Sequence, residues 1–320
     1  MGTVTGHAVA TPTWRAHLQI ARIDHWVKNV FVLPGVVVAL GLDPSRFTAT
    51  LLPPFLLGML SVGCIASSNY VLNELLDAPY DRQHPIKRRR PAASGQVHIG
   101  LGYLQWLVLM AIGLLLAWQV GPRFTMTMAA LWVMGCAYNV PPVRTKDVPY
   151  LDVLSEAVNN PLRMLAGWYI VGTDLVPPVS LLISYWMAGC YFMAIKRFAE
   201  YREIGDAARS AAYRRSFAYY NEPRLLVSIM FYGSHAMLFL GAFLVRYRLE
   251  LILAFPFTAL VMAVYLALAF KPDSAAQRPE GLYAEPVLMA AVVCCAVLMT
   301  ALMFVDVPFL YDVFRASVQR

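Results

Sequence analysis

Residues 69–91 read NYVLNELLDAPYDRQHPIKRRRP, the point at which an apolar run beginning near Leu51 meets a dense block of charge. A run of that length ending in charge is the pattern of a membrane helix emerging at the water interface. Asn73, Asp77 and Asp81 fall at i, i+4 and i+8, so a continuing helix carries all three on one face. Two carboxylates and an amide suit Mg²⁺, which takes one or two protein carboxylates, keeps several waters and bridges to phosphates. Arg82, Lys87, Arg88, Arg89 and Arg90 follow at once, and cations of this kind suit phosphate oxygens. Together the two blocks predict a magnesium diphosphate site. The basic cluster has a second reading, because positive residues beside a span also fix topology. The carboxylates point more firmly to function, since ionised acids at a bilayer edge are costly.

The rest of the chain agrees with that start. Of 320 residues, 59% are hydrophobic and 14% charged, and the mean hydropathy is +0.56, which predicts an all-α polytopic membrane protein. The net charge of +7 does not imply nucleic acid, because the basic residues sit in short loops between apolar spans. The five cysteines lie in apolar spans with no CxxC and no histidine at metal-ligand spacing, so they read as small core residues. The N-terminal residues lack an early apolar segment, so no cleaved signal peptide is expected.

Windows long enough to cross a hydrocarbon core predict nine spans, near 27–44, 52–79, 101–119, 124–141, 149–172, 177–196, 225–245, 249–270 and 284–305. Loops on the N-terminal side hold 19 of the Lys and Arg residues and those on the opposite side six. The positive-inside rule therefore places the N-terminus in the cytoplasm and the C-terminus outside, in a cell membrane. The chain reads as one integral-membrane domain over 1–320, with a cytoplasmic segment 1–26 and two long charged cytoplasmic loops, 80–100 and 196–224, where function is expected.

Other signals converge on that side. Lys196, Arg197, Glu200, Glu203 and Asp206 continue the sixth span at helical spacing, as a site or as ordinary surface ion pairs. Trp26, Lys28 and Asn29 open the first span, where Trp and Lys also serve as interfacial anchors. Tyr138 and Asn139 close the fourth, just before Arg144 and Lys146. Asp152, Glu156, Asn160 and Arg163 recur at helical spacing through an otherwise apolar run, so they face a polar cavity or one another.

The pattern N-x-x-x-D-x-x-x-D from Asn73 to Asp81, followed by R-x-H-P-x-K-R-x-R-P from Arg82 to Pro91, resembles the signature of the UbiA superfamily of intramembrane prenyltransferases. The resemblance covers nearly the whole chain and implies a helical bundle whose polar cavity opens to the cytoplasm. Aromatic prenyltransferases of the superfamily carry a second D-x-x-x-D after the sixth span. Here that place holds Lys196-Arg197-Phe198-Ala199-Glu200, which, with W-x-K-N at Trp26 to Asn29, is similar to the branch typified by decaprenyl-phosphate phosphoribosyltransferase. Glu74, where many members have Asp, and His25, where Gln is common, depart from the pattern.

That branch implies phosphoribosyl pyrophosphate as donor and a polyprenyl phosphate as acceptor, with a product that would feed an arabinose donor for cell-wall or secreted glycans. Asp77 and Asp81, helped by Asn73, would hold Mg²⁺. Lys28, Lys87, Arg88, Arg90, Lys196 and Arg197 would place phosphates, with Asn29, Tyr138 and Arg163 lining the substrate site and Glu200 orienting Lys196 or the ribose hydroxyls. Such a reaction handles three phosphate groups and asks for more cations than ring prenylation does. The alternatives are transfer of an isoprenyl diphosphate to an aromatic or haem acceptor, and a transporter or lipid-binding protein without turnover. Charge gathered at one membrane face, with no charged path through the bilayer, argues against the last.

Overall fold

The structure is a computed structural model describing residues 11–82, 87–277 and 279–315, so residues 83–86, inside the basic motif, lie outside it. Among the described residues every regular element is a helix. In chain order these are α1 (Trp14–Ile20), a 3₁₀ segment Ile23–Val32 running into α2 (Leu33–Leu42), α3 (Leu52–Asp81), α4 (Ile99–Val120) and α5 (Pro122–Asn139). Next come α6 (Leu151–Ala157), α7 (Asn159–Ile170), α8 (Val179–Ile204), α9 (Ala207–Tyr213), α10 (Glu222–Tyr247), α11 (Phe255–Leu268), α12 (Pro286–Leu302) and α13 (Pro308–Val313).

Among the described residues six stretches are long and apolar enough to cross a membrane: Trp14–Leu42, Ala49–Asp81, Ile99–Val120, Val179–Ile204, Glu222–Tyr247 and Leu249–Leu268. They correspond to the first, second, third, sixth, seventh and eighth expected spans. The fourth falls on α5, which has 18 residues and is less apolar, carrying Arg123, two threonines and Asn139. The ninth falls on α12, with 17 residues. The fifth is a broken pair, since α6 stops at Ala157 and α7 restarts at Asn159. Pro161, third in α7, has no N–H to give the preceding turn and crowds its carbonyls, which favours a new helix start over a continuous one.

Local sequence explains the ends that matter for the site. α3 starts on Pro53 and Pro54, where missing N–H groups cost nothing, and runs 30 residues to Asp81. α8 stops at Gly205, which has φ +65°, the left-handed conformation that glycine adopts without a Cβ penalty. α3 packs along α4 and α8 along α10, while α2 crosses α7 at backbone contact. A Cβ on Gly35 would collide with the Met164 carbonyl and one on Gly167 with the Val32 carbonyl, so small residues set that crossing. Leu115, Trp118, Met230 and Val245 lie at least two thirds exposed on the outside of the bundle, where a lipid-facing surface belongs.

Contacts sort the loops to two ends. At one, Arg46 donates to the Gly172 carbonyl, Arg123 pairs with Asp174, and Arg248 pairs with Asp306. At the other, Lys146 meets Asp77, Lys87 meets Tyr213, and Gln277 donates to the Ala199 carbonyl. The long charged loops meet at this second end.

Candidate active site

The site starts from the last two turns of α3. Asn73 Nδ2 donates to Asn139 Oδ1 at 2.6 Å. Asp77 Oδ1 accepts from Lys146 Nζ at 2.6 Å and from Arg144 Nη2 at 3.0 Å. Lys146 also donates to Asn139 Oδ1 at 2.8 Å and is 5% exposed. One turn on, Asp81 Oδ2 accepts from Arg90 Nη1 at 2.7 Å. Arg144 and Tyr150 sit at positive φ, 27° and 64°, a conformation that residues with a Cβ adopt at a cost of about 1–3 kcal/mol. The loop between α5 and α6 is thus bent to deliver two cations onto one carboxylate oxygen. Burial pushes the Lys146 ammonium below the ordinary lysine range, against the pull of Asp77.

Glu74, on another face of α3, does different work. It accepts from Arg22 at 3.1 Å and from the Ala92 amide at 3.4 Å, tying the N-terminal segment and the loop after α3 to the helix.

A second centre forms around Arg197 on α8, which is 2% exposed. Its Nε donates to Asp152 at 3.2 Å, Nη2 to Glu156 at 2.7 Å and Nη1 to Glu200 at 3.1 Å. Tyr138 donates to Glu156 at 2.9 Å, and the fully buried Asp152 accepts also from Tyr220 at 2.7 Å and Ser216 at 3.2 Å. Asp152 and Glu156 therefore share a helical face, as their spacing implies, and both turn to Arg197. Its guanidinium is saturated by carboxylates, so a direct phosphate contact would require exchanging one of them. Lys196 forms no hydrogen bond or ion pair among the described residues, while its charge acts on both Glu156 and Glu200.

The two centres are linked across the loops. Lys87 Nζ lies 3.3 Å from Tyr213 Oη and 4.9 Å from that ring's centre, which docks loop 80–100 on loop 196–224. Its charge acts on Asp81 and Glu200 alike, and burial, with Arg90 adding, pushes its ammonium below the ordinary lysine range. Arg88 is exposed. Lys28 lies 3.3 Å from His25 Nδ1, and Asn29 is 2% exposed with Oδ1 unbonded among the described residues. Arg163 Nε is buried without a hydrogen-bond partner among the described residues, and Asn160 stands against Gly189. Trp26 donates to Ser67 and packs on Gly63, which makes it a packing residue. Arg144, Lys146 and Arg214 were not among the candidates from sequence; the first two had a signal in their position directly after Tyr138, Asn139 and the Pro141-Pro142 turn.

Among the described residues no three His, Cys, Asp or Glu side chains gather at metal-holding distance. The donor set on α3 nevertheless fits magnesium. Asp77 and Asp81 offer hard oxygens one turn apart, Asn73 stands a turn before them, and Asp77 Oδ1 already concentrates enough negative charge to draw two cations.

A single long helix thus ends in paired aspartates faced by a cationic loop, at one end of a helical bundle. The chain belongs to the UbiA prenyltransferase family, whose model matches residues 30–283, and it is a multi-pass membrane transferase. It is 30% identical over 227 residues to the nodulation protein NoeC of Azorhizobium caulinodans, covering 71% of each chain. It is also 30% identical over 205 residues to decaprenyl-phosphate phosphoribosyltransferase of Mycobacterium tuberculosis, covering 64% of this chain and 65% of that one, just under two thirds of its length. The fold matches a UbiA homolog from Archaeoglobus fulgidus solved with GPP and Mg²⁺ bound, with a TM-score of 0.69 at 19% identity over 90% of this chain and 98% of that one.

Proposed function

We propose that the protein transfers 5-phosphoribose from phosphoribosyl pyrophosphate to a polyprenyl phosphate at the cytoplasmic face of the cell membrane. The observation that carries this reading is the make-up of the α8 centre. Where a second acidic pair would hold a second metal, Lys196 stands without an ion pair among the described residues and Glu200 is taken by Arg197. A surplus of cations beside one acidic helix suits a substrate set with several phosphates. The activity for which the mycobacterial relative is named points the same way.

In this reading Asp77 and Asp81, with Asn73, hold Mg²⁺, which neutralises charge on the departing diphosphate when bound. Lys146, Arg144 and Arg90 surround those carboxylates and stabilise the diphosphate oxygens, and Lys87 closes the site from the opposite loop. The C1–O bond to diphosphate breaks as a C1–O bond to the lipid phosphate forms, and pyrophosphate leaves. The acceptor monoester, with a second pKa of about 6, is largely dianionic at neutral pH. No strong base is needed, so positioning and electrostatics carry the step. Arg197 organises the α8 centre, holding Glu156 and Glu200 in place. All nine expected segments cross the bilayer, with the N-terminus cytoplasmic and the C-terminus external, and the product would feed an arabinose donor for glycans.

The test offers purified protein and Mg²⁺ two substrate pairs: phosphoribosyl pyrophosphate with polyprenyl phosphate, and geranyl diphosphate with 4-hydroxybenzoate. Formation of the phosphoribosyl lipid supports the reading. Prenylated ring in its place assigns the protein to the aromatic branch.

A further inference from the structure

Arg144, Lys146, Arg90 and Arg197 each have a carboxylate within hydrogen-bond distance. Arg214, which follows α9, does not. Its Nη1 is buried and makes no hydrogen bond among the described residues, and the Asp152 oxygen with which it pairs is 3.7 Å away. Asp152 already accepts from Arg197, Ser216 and Tyr220, so it has little left to offer. The charge of Arg214 acts on Lys146 in the α3 centre and on Glu156 and Glu200 in the α8 centre. Lys196 acts on the same two glutamates from the α8 side. Lys87 approaches from the other loop, over the neighbouring Tyr213. The acids that would repel an incoming anion, Asp152, Glu156 and Glu200, each pair with Arg197, and Lys196 and Arg214 offset the two negative charges that its single positive charge leaves.

A buried guanidinium N–H without an acceptor is costly, and a planar donor fork matches phosphate oxygens. We propose that Arg214, with Lys196 of α8, seats a phosphate monoester at the end of the donor remote from its diphosphate. This rests on the phosphoribosyl-donor reading above and makes Arg214 its specificity-determining residue. An isoprenyl diphosphate presents only hydrocarbon at that end, which would bury the guanidinium without satisfying it.

The experiment measures binding to the full-length protein in detergent by calorimetry, for wild type, Arg214→Gln and Arg214→Lys. The ligands are ribose 5-phosphate, pyrophosphate with Mg²⁺, phosphoribosyl pyrophosphate and geranyl diphosphate. Loss of one charge-assisted contact predicts ribose 5-phosphate binding weakened roughly ten- to a hundredfold in Arg214→Gln, with partial retention in Arg214→Lys. Magnesium pyrophosphate binding should stay unchanged, which also shows that the variant is folded. Ribose 5-phosphate binding as in wild type, or equal loss of both ligands in both variants, overturns the assignment while leaving the donor reading intact. A wild type that binds geranyl diphosphate and neither ribose compound overturns the donor reading, and the seat with it.

Discussion

Replacing Asp77 by Asn should damage the fold and the reaction for separable reasons. In the fold, Asp77 Oδ1 anchors Lys146 at 2.6 Å and Arg144 at 3.0 Å, and the Lys146 side chain is 6% exposed. Breaking a buried ion pair by removing one partner costs about 3–5 kcal/mol, because the remaining charge stays buried. Arg144 retains Asp147 at 3.1 Å and the Asn139 carbonyl at 3.1 Å, and the substituted amide still accepts a neutral hydrogen bond, so about 2–3 kcal/mol is the expected net loss. In the reaction, a charged metal ligand disappears, and transfer should fall by at least about a hundredfold. The double variant Asp77→Asn, Lys146→Met separates the two effects. Removing the orphaned ammonium should return most of the thermal stability in detergent and none of the transfer rate. If the single variant unfolds at the wild-type temperature, the ion pair is not holding the loop. If the double variant regains activity, Asp77 is not a metal ligand.

Lys196→Ala should lower phosphoribosyl transfer by roughly ten- to a hundredfold, the effect of one lost charge-assisted contact, and Lys196→Asp with Glu200→Asp should lower it further; unchanged initial rates in both would sink the role given to Lys196. The depressed Lys87 ammonium should make transfer fall at a lower alkaline pH than an ordinary lysine would, and Lys87→Arg, charged throughout, should move that limb upward in a pH–rate profile. Stability runs the other way: Lys87 binds its proton more weakly folded than unfolded, so its contribution becomes more favourable as pH rises from the folded value toward 10.5. For topology, cysteines at Arg215, whose side chain is 81% exposed, and at Arg315 are introduced after removing the five native ones; an impermeant reagent on intact cells should label position 315 and spare 215.

What the sequence made legible was local. The i, i+4, i+8 spacing of Asn73, Asp77 and Asp81 survives because α3 runs unbroken to Asp81, and the shared face of Asp152 and Glu156 follows from the same periodicity. What stayed hidden depends on contacts between distant residues. Lys146 is 69 residues from Asp77, and no local pattern distinguishes it from a topology-setting loop lysine. Arg197 reads as a phosphate cation until Asp152 and Glu156, 45 and 41 residues away, close on it. The break at Val158 was within reach, since Pro161 marks it, but the apolar residues around it satisfied a hydropathy window that is blind to helix geometry.

The central claim is tested most directly by following each phosphorus of the donor. Phosphoribosyl pyrophosphate labelled in its 5-phosphate, and separately in its diphosphate, is given to the purified protein with Mg²⁺ and polyprenyl phosphate, and the lipid and aqueous phases are counted. Transfer of phosphoribose predicts that the 5-phosphate label enters the lipid while the diphosphate label stays in water as pyrophosphate. Both labels remaining aqueous, while labelled geranyl diphosphate loses its prenyl group to an aromatic acceptor, would contradict it.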